Sequence, residues 1–248
     1  MNEIDLNAIQ NFVNDNITVF HQQKIKSLEK LKLATLLKKN PYLFKAKNIS
    51  IASDLITDIL TAFLSSSEEK LFGDFLEALA IFVASQTCDA KKSAAPGIDM
   101  EFLNGGAHYV VSIKSGTNWG NSSQQRRQED DFKDAVKRLK QSQHSKNVQA
   151  VLGICYGKTR TSYVRGYQKI VGQNFWYFIS ENENLYIDLV EPIGYRAKEH
   201  TEAFAREKSR VINVFTQEFM AEFCTNGAIN WAKLVEFNSG NLDLPPNS

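Results

Sequence analysis

The stretch from Gly97 to Gly116 places two carboxylates and a lysine in a pattern typical of a β-hairpin. In the segment IDMEF, Asp99 and Glu101 alternate with three hydrophobic residues, so a strand would send both acids to one face. Carboxylate oxygens hold Mg²⁺, which acidifies water, and a lysine can stabilise charge that develops at phosphorus. These residue types suit metal-dependent hydrolysis of a phosphodiester. The alternative is a solvent-facing hairpin with a cross-strand ion pair.

The position of the lysine, Lys114, depends on the turn between the two strands. The Gly-Gly pair at positions 105–106 is a favoured two-residue hairpin turn. Such a turn would place Asp99 opposite Ser112 and bring Lys114 to the face that carries the acids, together with His108. A loop of odd length would turn Lys114 to the opposite face, so the metal-site hypothesis depends on this register.

The elements that must position the hairpin are predicted from hydrophobic periodicity. A proline interrupts the first helical pattern at NPYLF, and the run SSSEE is typical of a capped helix start. Helices are expected over about residues 1–39, 52–64, 65–85, 122–141 and 198–223. Strands are expected in the hairpin, over residues 147–157, and in FWYFIS and NLYIDLV. This order predicts an α/β core with a central mixed β-sheet flanked by helices.

The length of 248 residues, with 23% charged and 43% hydrophobic residues, fits a single globular domain. Within it we expect an N-terminal helical extension over residues 1–50, a catalytic core over 51–195, and a C-terminal helix and tail over 196–248. Three widely spaced cysteines fit neither a disulfide framework nor a zinc site. The N-terminus lacks the order of a signal peptide, and no apolar run reaches roughly 18–20 residues. A cytoplasmic protein without a membrane partner is expected.

Charge is distributed unevenly along the chain, although the net charge is only +1. Residues 112–170 contain 12 Lys and Arg against 4 Asp and Glu, a local excess of +8, so the rest carries about −7. This asymmetry indicates one face suited to a polyanion. The alternative is a set of ordinary solvated helix and loop surfaces.

Several segments resemble a known nuclease superfamily. PGID, followed by a strand turn and SIK, resembles the PD-(D/E)XK signature. The wider segments SSSEEKLFGDFLEALAIF, GIDMEF, YVVSIKSGTNWGNSSQ and VLGICYG resemble a family of type II restriction endonucleases in that superfamily. The similarity covers residues 40–157, somewhat under half of the chain, and its ordered combination of segments is more specific than the short signature alone.

The resemblance implies a sequence-specific endonuclease that cuts double-stranded DNA as a homodimer, with a PD-(D/E)XK nuclease-like core. It implies Mg²⁺ as the cofactor, with Mn²⁺ able to substitute and Ca²⁺ able to bind without supporting cleavage. A restriction enzyme also requires a cognate DNA methyltransferase as its functional partner. Two alternatives stay open: a repair-type, recombination-type or non-specific nuclease of the same superfamily, and a DNA-binding module with a decayed site.

Carried over by position, the resemblance makes Asp99 the central metal ligand, with the Ile113 backbone carbonyl as a further ligand, and Lys114 the catalytic lysine. The chain departs from the superfamily at Ser112, where an acid is usual. A serine is a poor replacement for a carboxylate ligand. A second carboxylate must then come from elsewhere.

Two glutamates are candidates for this second carboxylate. Glu101 shares the face of Asp99 but lies about 6–7 Å further along the strand. Glu77 borders the apolar stripe of the preceding helix, from which superfamily members commonly recruit an acid, and Gly73 one turn earlier suggests a close approach. Glu69 is a weaker candidate, because a position at a helix start would explain an acid there.

Polar and cationic residues after the catalytic strand are candidates for DNA contact. Hydrogen-bonding groups suit phosphates or base edges, and a helix N-terminus suits phosphates. Cations mixed with aromatics suit base edges. The first set comprises Ser112, Ser115, Asn118, Asn121, Ser122, Ser123, Gln124, Arg126 and Lys133. The second comprises Lys158, Arg160, Tyr163 and Arg165. The alternatives are a solvated helix face and a hairpin with exposed cations.

Overall fold

In the computed structural model, which describes residues 2–142 and 147–243, the hairpin lies inside a mixed six-stranded sheet. The strands are β1 (Lys91–Lys92), β2 (Met100–Asn104), β3 (Ala107–Lys114), β4 (Val148–Ile154), β5 (Ser162–Val164) and β6 (Tyr167–Val171). Their order across the sheet is β1-β2-β3-β4-β6-β5. β4 runs parallel to its neighbours β3 and β6, and the outer pairs are antiparallel. The predicted α/β class with a mixed central sheet is confirmed.

The hairpin register predicted from the Gly-Gly turn is also confirmed. Asn104 pairs with Ala107, and Glu101 pairs with Val110. Both turn glycines have positive φ, 56° and 76°, which is the backbone that a two-residue turn of this kind requires. The even register sends Lys114 to the face of the acids.

Helices precede, separate and follow the strands along the chain. Their bounds are α1 (Leu6–Glu29), α2 (Leu33–Leu36), α3 (Pro41–Ala46), α4 (Ala52–Cys88), α5 (Ser122–Gln141), α6 (Gln173–Ser180), α7 (Leu185–Asp188), α8 (Val190–Ile193), α9 (Ala197–Phe223) and α10 (Trp231–Ser239). A small hairpin of β7 (Cys224–Thr225) and β8 (Ala228–Ile229) separates the last two. α5 and α9 agree with the predicted helices, whereas α10 was not predicted.

The helix start predicted at SSSEE is wrong. α4 is one helix of 37 residues that runs through this segment. The hydroxyl of Ser66 donates to the Ala62 carbonyl one turn back, at 3.2 Å, which is the bond of a serine inside a helix rather than of a cap. Glu69 therefore lies in the middle of a helix, and a position at a helix start does not explain why an acidic residue stands there.

The strands predicted in FWYFIS and NLYIDLV are also wrong, because both segments are helical. Phe175 and Ile179 are buried one helical turn apart, and so are Leu185 and Leu189. Short apolar runs fit a buried strand and a buried helix equally well, and here the spacing of three to four residues prevails. Pro41 likewise begins a helix that Asn40 caps, rather than only ending the previous one.

The chain divides into two compact units. The first comprises Met1–Phe20 and Phe72–Tyr195, and it contains the whole mixed sheet. On one face of this sheet, α4 residues such as Leu79 and Val83 share a core cluster with Met100 and Val111. On the other face, α5 contributes a second cluster, which contains Phe132, Ala135, Val110, Ala150 and Leu152. The hairpin therefore lies between two helical layers.

The second unit comprises His21–Leu71 and Arg196–Ser248 and is helical. Its core contains Leu36, Leu55, Phe219 and Phe223. α4 is the helix, within the described part of the chain, that would be long and apolar enough to cross a membrane, but 44% of its most apolar window is buried in the protein. Core helices of soluble proteins can be equally long and apolar, so the length and composition of α4 are weak evidence for a membrane span. The domain boundaries expected from the sequence stay a prediction.

We expect Gly153→Ala to destabilise the first unit by about 1–3 kcal/mol, because it overpacks the core. A Cβ at Gly153 on β4 would lie 2.1 Å from Phe175 Cε2. Gly73→Ala in α4 is the matched control, since its Cβ would meet Ser115 Oγ at an ordinary 3.8 Å. Chemical denaturation of both variants measures the difference. A Gly153→Ala variant as stable as Gly73→Ala would contradict this packing.

Candidate active site

Asp99 is held against β3 just before β2 begins. Its Oδ2 accepts a hydrogen bond from the Ile113 backbone N–H at 2.5 Å and lies 3.3 Å from the Ser112 hydroxyl oxygen. Its own backbone N–H donates to the Val111 carbonyl at 2.9 Å. The antiparallel register thus extends to Asp99, and the carboxylate is anchored by the strand that carries the lysine.

Lys114 ends β3 and reaches back to the same serine. Its Nζ donates to Ser112 Oγ at 3.2 Å and lies 5.6 Å from the centroid of the Trp119 ring. Trp119 itself packs against the core cluster on the α5 side of the sheet. The structure therefore brings Asp99 and Lys114 together around a fully buried serine, at 0% exposure.

Glu77 approaches this pair from α4. Burial raises the pKa of its carboxyl, the negative charge of Asp99 raises it further, and Lys92 and Lys114 oppose the shift. This set of influences places Glu77 in the electrostatic field of both hairpin residues. Burial, followed by the charge of Glu77, raises the pKa of the Cys155 thiol to about 12, and Cys155 belongs to the core cluster on the α4 side of the sheet.

Glu101 has a different environment. Its Oε1 accepts from the Ser93 hydroxyl at 2.5 Å, and its Oε2 lies 3.1 Å from His108 Nε2. Glu101 and His108 share the predicted face of the hairpin. Both oxygens of Glu101, however, are engaged by residues other than Asp99 and Lys114, in a network that ties the start of the hairpin segment to β3.

Gln128 of α5 is the site residue that the sequence interpretation missed. Its side chain is 6% exposed, its Nε2 donates to the Gly97 carbonyl at 3.0 Å, and its Oε1 accepts from Ser112 Oγ at 2.9 Å. The sequence does contain a pattern that indicates the buried position of Gln128. Gln128, Phe132 and Ala135 recur at helical spacing, so the amide occupies a position on the buried stripe of a highly charged helix.

The residues at the start of α5 form a capping box. The Asn121 side chain accepts from the backbone of Ser123 and Gln124, and Gln124 Oε1 accepts from the Asn121 N–H at 3.0 Å. The side-chain oxygens of Asn121 and Gln124 are therefore used within the helix start. Other DNA-contact candidates in this segment are exposed: Asn118, Ser122, Ser123 and Arg126. Ser115, next to Lys114, is partly buried.

The basic segment after β4 has no regular structure over residues 157–161 and then forms the hairpin of β5 and β6. Tyr163 projects from it at 72% exposure. Arg165, at the turn, pairs with Glu129 of α5 at 2.6 Å, and Lys133 pairs with Asp130 at 3.1 Å. The remaining candidates are exposed: Lys158 and Arg160.

The donor set around Asp99 consists of carboxylate oxygens rather than of a complete metal shell. Within residues 2–142 and 147–243, no group of three or more His, Cys, Asp or Glu side chains is positioned to hold a metal. Asp99 and Glu77 nevertheless supply oxygen donors, which Mg²⁺ prefers, and the charge of Asp99 raises the pKa of Glu77. A bound cation would relieve this repulsion. The two carboxylates could therefore hold a divalent metal if backbone or solvent oxygens complete the shell.

The chain matches a family of known proteins. A family model described as type II restriction endonuclease EcoO109I matches residues 7–201. The matched region is well over half of the 248 residues, and it contains the whole mixed sheet, α4 and α5. A search of curated proteins found none that matches the chain.

Proposed function

Because the chain belongs to the type II restriction endonuclease EcoO109I family, whose members are site-specific deoxyribonucleases, we propose that it hydrolyses double-stranded DNA at a specific sequence with Mg²⁺. The observation that carries the proposal is the pairing of Asp99 and Lys114 around Ser112, with Glu77 of α4 in the electrostatic field of both. This combination of acids and a cation matches the needs of phosphodiester hydrolysis.

In the proposed mechanism, Asp99 and Glu77 would hold the metal, with the Ile113 carbonyl as a further oxygen. Members of the family generally use a divalent metal. When bound, Mg²⁺ supplies an acidified water and neutralises charge on the phosphate. Asp99 is fixed in position by the Ile113 N–H, so the carboxylate does not have to be ordered when substrate arrives.

Lys114 orients the attacking water and donates to the phosphate oxygen on which negative charge grows. Its ammonium is partly buried and anchored to Ser112, so its position is set before DNA binds. A preorganised donor of this kind stabilises the transition state more than the ground state.

Glu77 is the proposed second carboxylate rather than Glu101. The oxygens of Glu101 are engaged by Ser93 and His108, whereas the pKa of Glu77 responds to Asp99 and Lys114. Glu101 is assigned to positioning the hairpin. Among the candidates for a metal ligand it is therefore the weaker.

DNA contact is proposed for the exposed start of α5 and for the β5–β6 hairpin. Ser122, Ser123 and Arg126 suit phosphates, and the N-terminus of a 20-residue helix favours anions there. Base reading is assigned to the exposed cations that precede β5 and to the exposed aromatic ring on β5: Lys158, Arg160 and Tyr163. We further propose a homodimer that cuts both strands, a cytoplasmic location, and a cognate methyltransferase that protects host sites.

Digestion of a genome of known sequence tests this function. With Mg²⁺ we expect discrete fragments whose ends share one sequence, with Mn²⁺ able to substitute and with EDTA abolishing the reaction. Ca²⁺ should support DNA binding without cleavage. A smear would favour a non-specific nuclease. Absence of cleavage with every divalent metal would leave a DNA-binding module with a decayed site.

A further inference from the structure

We infer that Gln128 is a positioning residue for catalysis, which orients the Ser112 hydroxyl so that this hydroxyl holds Lys114 in place. The inference rests on the role proposed above for Lys114. It assigns a function to the serine that stands where an acid was expected, and to an amide that the sequence interpretation did not include.

The orientation of the Gln128 amide follows from its partners. The Gly97 carbonyl can only accept, so the group that faces it at 3.0 Å must be the Nε2 amide. The Oε1 atom then necessarily faces Ser112, at 2.9 Å. Gln128 therefore presents an acceptor, and not a donor, to the serine hydroxyl.

The protons on the Lys114 ammonium and the Ser112 hydroxyl determine the direction of the next hydrogen bonds. A lysine ammonium only donates, so Ser112 Oγ accepts from Lys114 at 3.2 Å through a lone pair. The single hydroxyl proton then has two possible acceptors, Gln128 Oε1 at 2.9 Å and Asp99 Oδ2 at 3.3 Å. The shorter bond goes to Gln128. This choice leaves the Asp99 carboxylate free of the serine proton and available to a metal.

Burial explains why the chain of bonds is rigid. Ser112 is 0% exposed and Gln128 is 6% exposed, in the layer where α5 packs on the sheet. Buried polar groups are costly when unpaired, so each rotamer is fixed by its partner. An apolar pair of similar shape could fill the same space. Such a pair could not accept a hydrogen bond from Lys114.

α5 also fixes the segment that leads to Asp99. Gly97 has φ of +70°, and a Cβ there would lie 2.2 Å from Asp131 Oδ2. Asp131 is three residues after Gln128, so both side chains lie on the same face of α5. α5 thus contacts the backbone at Gly97, two residues before Asp99. Through Gln128 and Ser112 it also positions the ammonium of Lys114.

The test compares Gln128→Met with Gln125→Met. Gln125 is the matched control, because its Nε2 also donates to a glycine carbonyl, Gly120 at 3.1 Å, from the same helix. We expect Gln128→Met to lower the single-turnover rate of DNA cleavage in Mg²⁺ by about 10- to 100-fold, as for other supporting residues. DNA affinity, measured by anisotropy in Ca²⁺, should stay at the wild-type value. Gln125→Met should change neither.

Two further variants separate positioning from packing. Gln128→Glu keeps an oxygen acceptor toward Ser112 and should recover part of the rate that Gln128→Met loses. Ser112→Ala removes the hydroxyl that links Gln128 to Lys114. The double variant with Gln128→Met should therefore be no slower than Ser112→Ala alone. Losses that multiply in the double variant would overturn the inference, as would a wild-type rate for Gln128→Met. If Gln128→Met does not fold, a wild-type rate for Ser112→Ala overturns it.

The same assay distinguishes the inference from the proposed function. Lys114→Ala is measured beside the other variants. If Lys114→Ala still cuts at the wild-type rate, the proposed role of the lysine is wrong and the inference falls with it. If Lys114→Ala is inactive while Gln128→Met cuts normally, the proposed function stands and only the positioning role of Gln128 is refuted.

Discussion

We expect the Lys114→Ala variant to cut DNA about 10³-fold more slowly than the wild type, and to bind it with the same affinity. The ammonium is anchored to the buried Ser112 beside Asp99, so it contributes where charge develops and little to holding the duplex. Lys114→Arg should stay slow, because a planar guanidinium cannot reproduce the position of a compact ammonium. Single-turnover cleavage in Mg²⁺ and anisotropy in Ca²⁺ measure the two quantities.

Lys91→Ala is the matched control for the lysine. Lys91 also lies in a strand of the same sheet, but it is exposed on the edge strand β1. Its removal should leave cleavage unchanged. Thermal unfolding of both variants checks that neither loses the fold. A Lys114→Ala enzyme that cuts at the wild-type rate would contradict the role assigned to this residue.

The parts of this site that could be predicted are those fixed by local chemistry. The Gly-Gly turn alone determined that Glu101 pairs with Val110, because a two-residue turn permits one register. The start of α5 was equally predictable, since Asn121 and Gln124 are the residues of a capping box three positions apart. In both cases the deciding groups are neighbours in the chain.

The parts that could not be predicted depend on contacts between distant segments. Gln128 meets Ser112 only because α5 packs across the sheet, and its sequence position shows only that a polar side chain lies on a buried stripe. The engagement of Glu101 by Ser93 depends on the path of the backbone before β2. α6 was mistaken for a strand for a related reason. A short apolar run can form a helix or a strand, and packing against residues distant in the sequence decides which one forms.

Glu77 and Glu101 are the two candidates for the second carboxylate of the site. We expect Glu77→Gln to reduce cleavage by about 10²- to 10³-fold and Glu101→Gln to retain most of it, because only the first change removes a charge from the proposed metal shell. Glutamine preserves the shape of each side chain. Glu77→Gln should also require a higher Mg²⁺ concentration to reach half of its maximal single-turnover rate.

Stability without metal provides an independent readout for the same pair. The pKa of Glu77 is raised in the folded state by burial and then by Asp99, so its ionised form is disfavoured there. This cost is present at pH values above the raised pKa and disappears as acid protonates the group. Glu77→Gln should therefore unfold at a higher temperature than the wild type at neutral pH in EDTA. The gain should vanish in acid.

Glu101→Gln should behave in the opposite way. Its carboxylate accepts from Ser93 and contacts His108, so an amide there loses an acceptor and weakens the network. The variant should melt below the wild type yet keep its Mg²⁺ requirement. If Glu101→Gln instead abolishes cleavage while Glu77→Gln retains it, the metal shell is completed within the hairpin, and α4 serves only to pack against it.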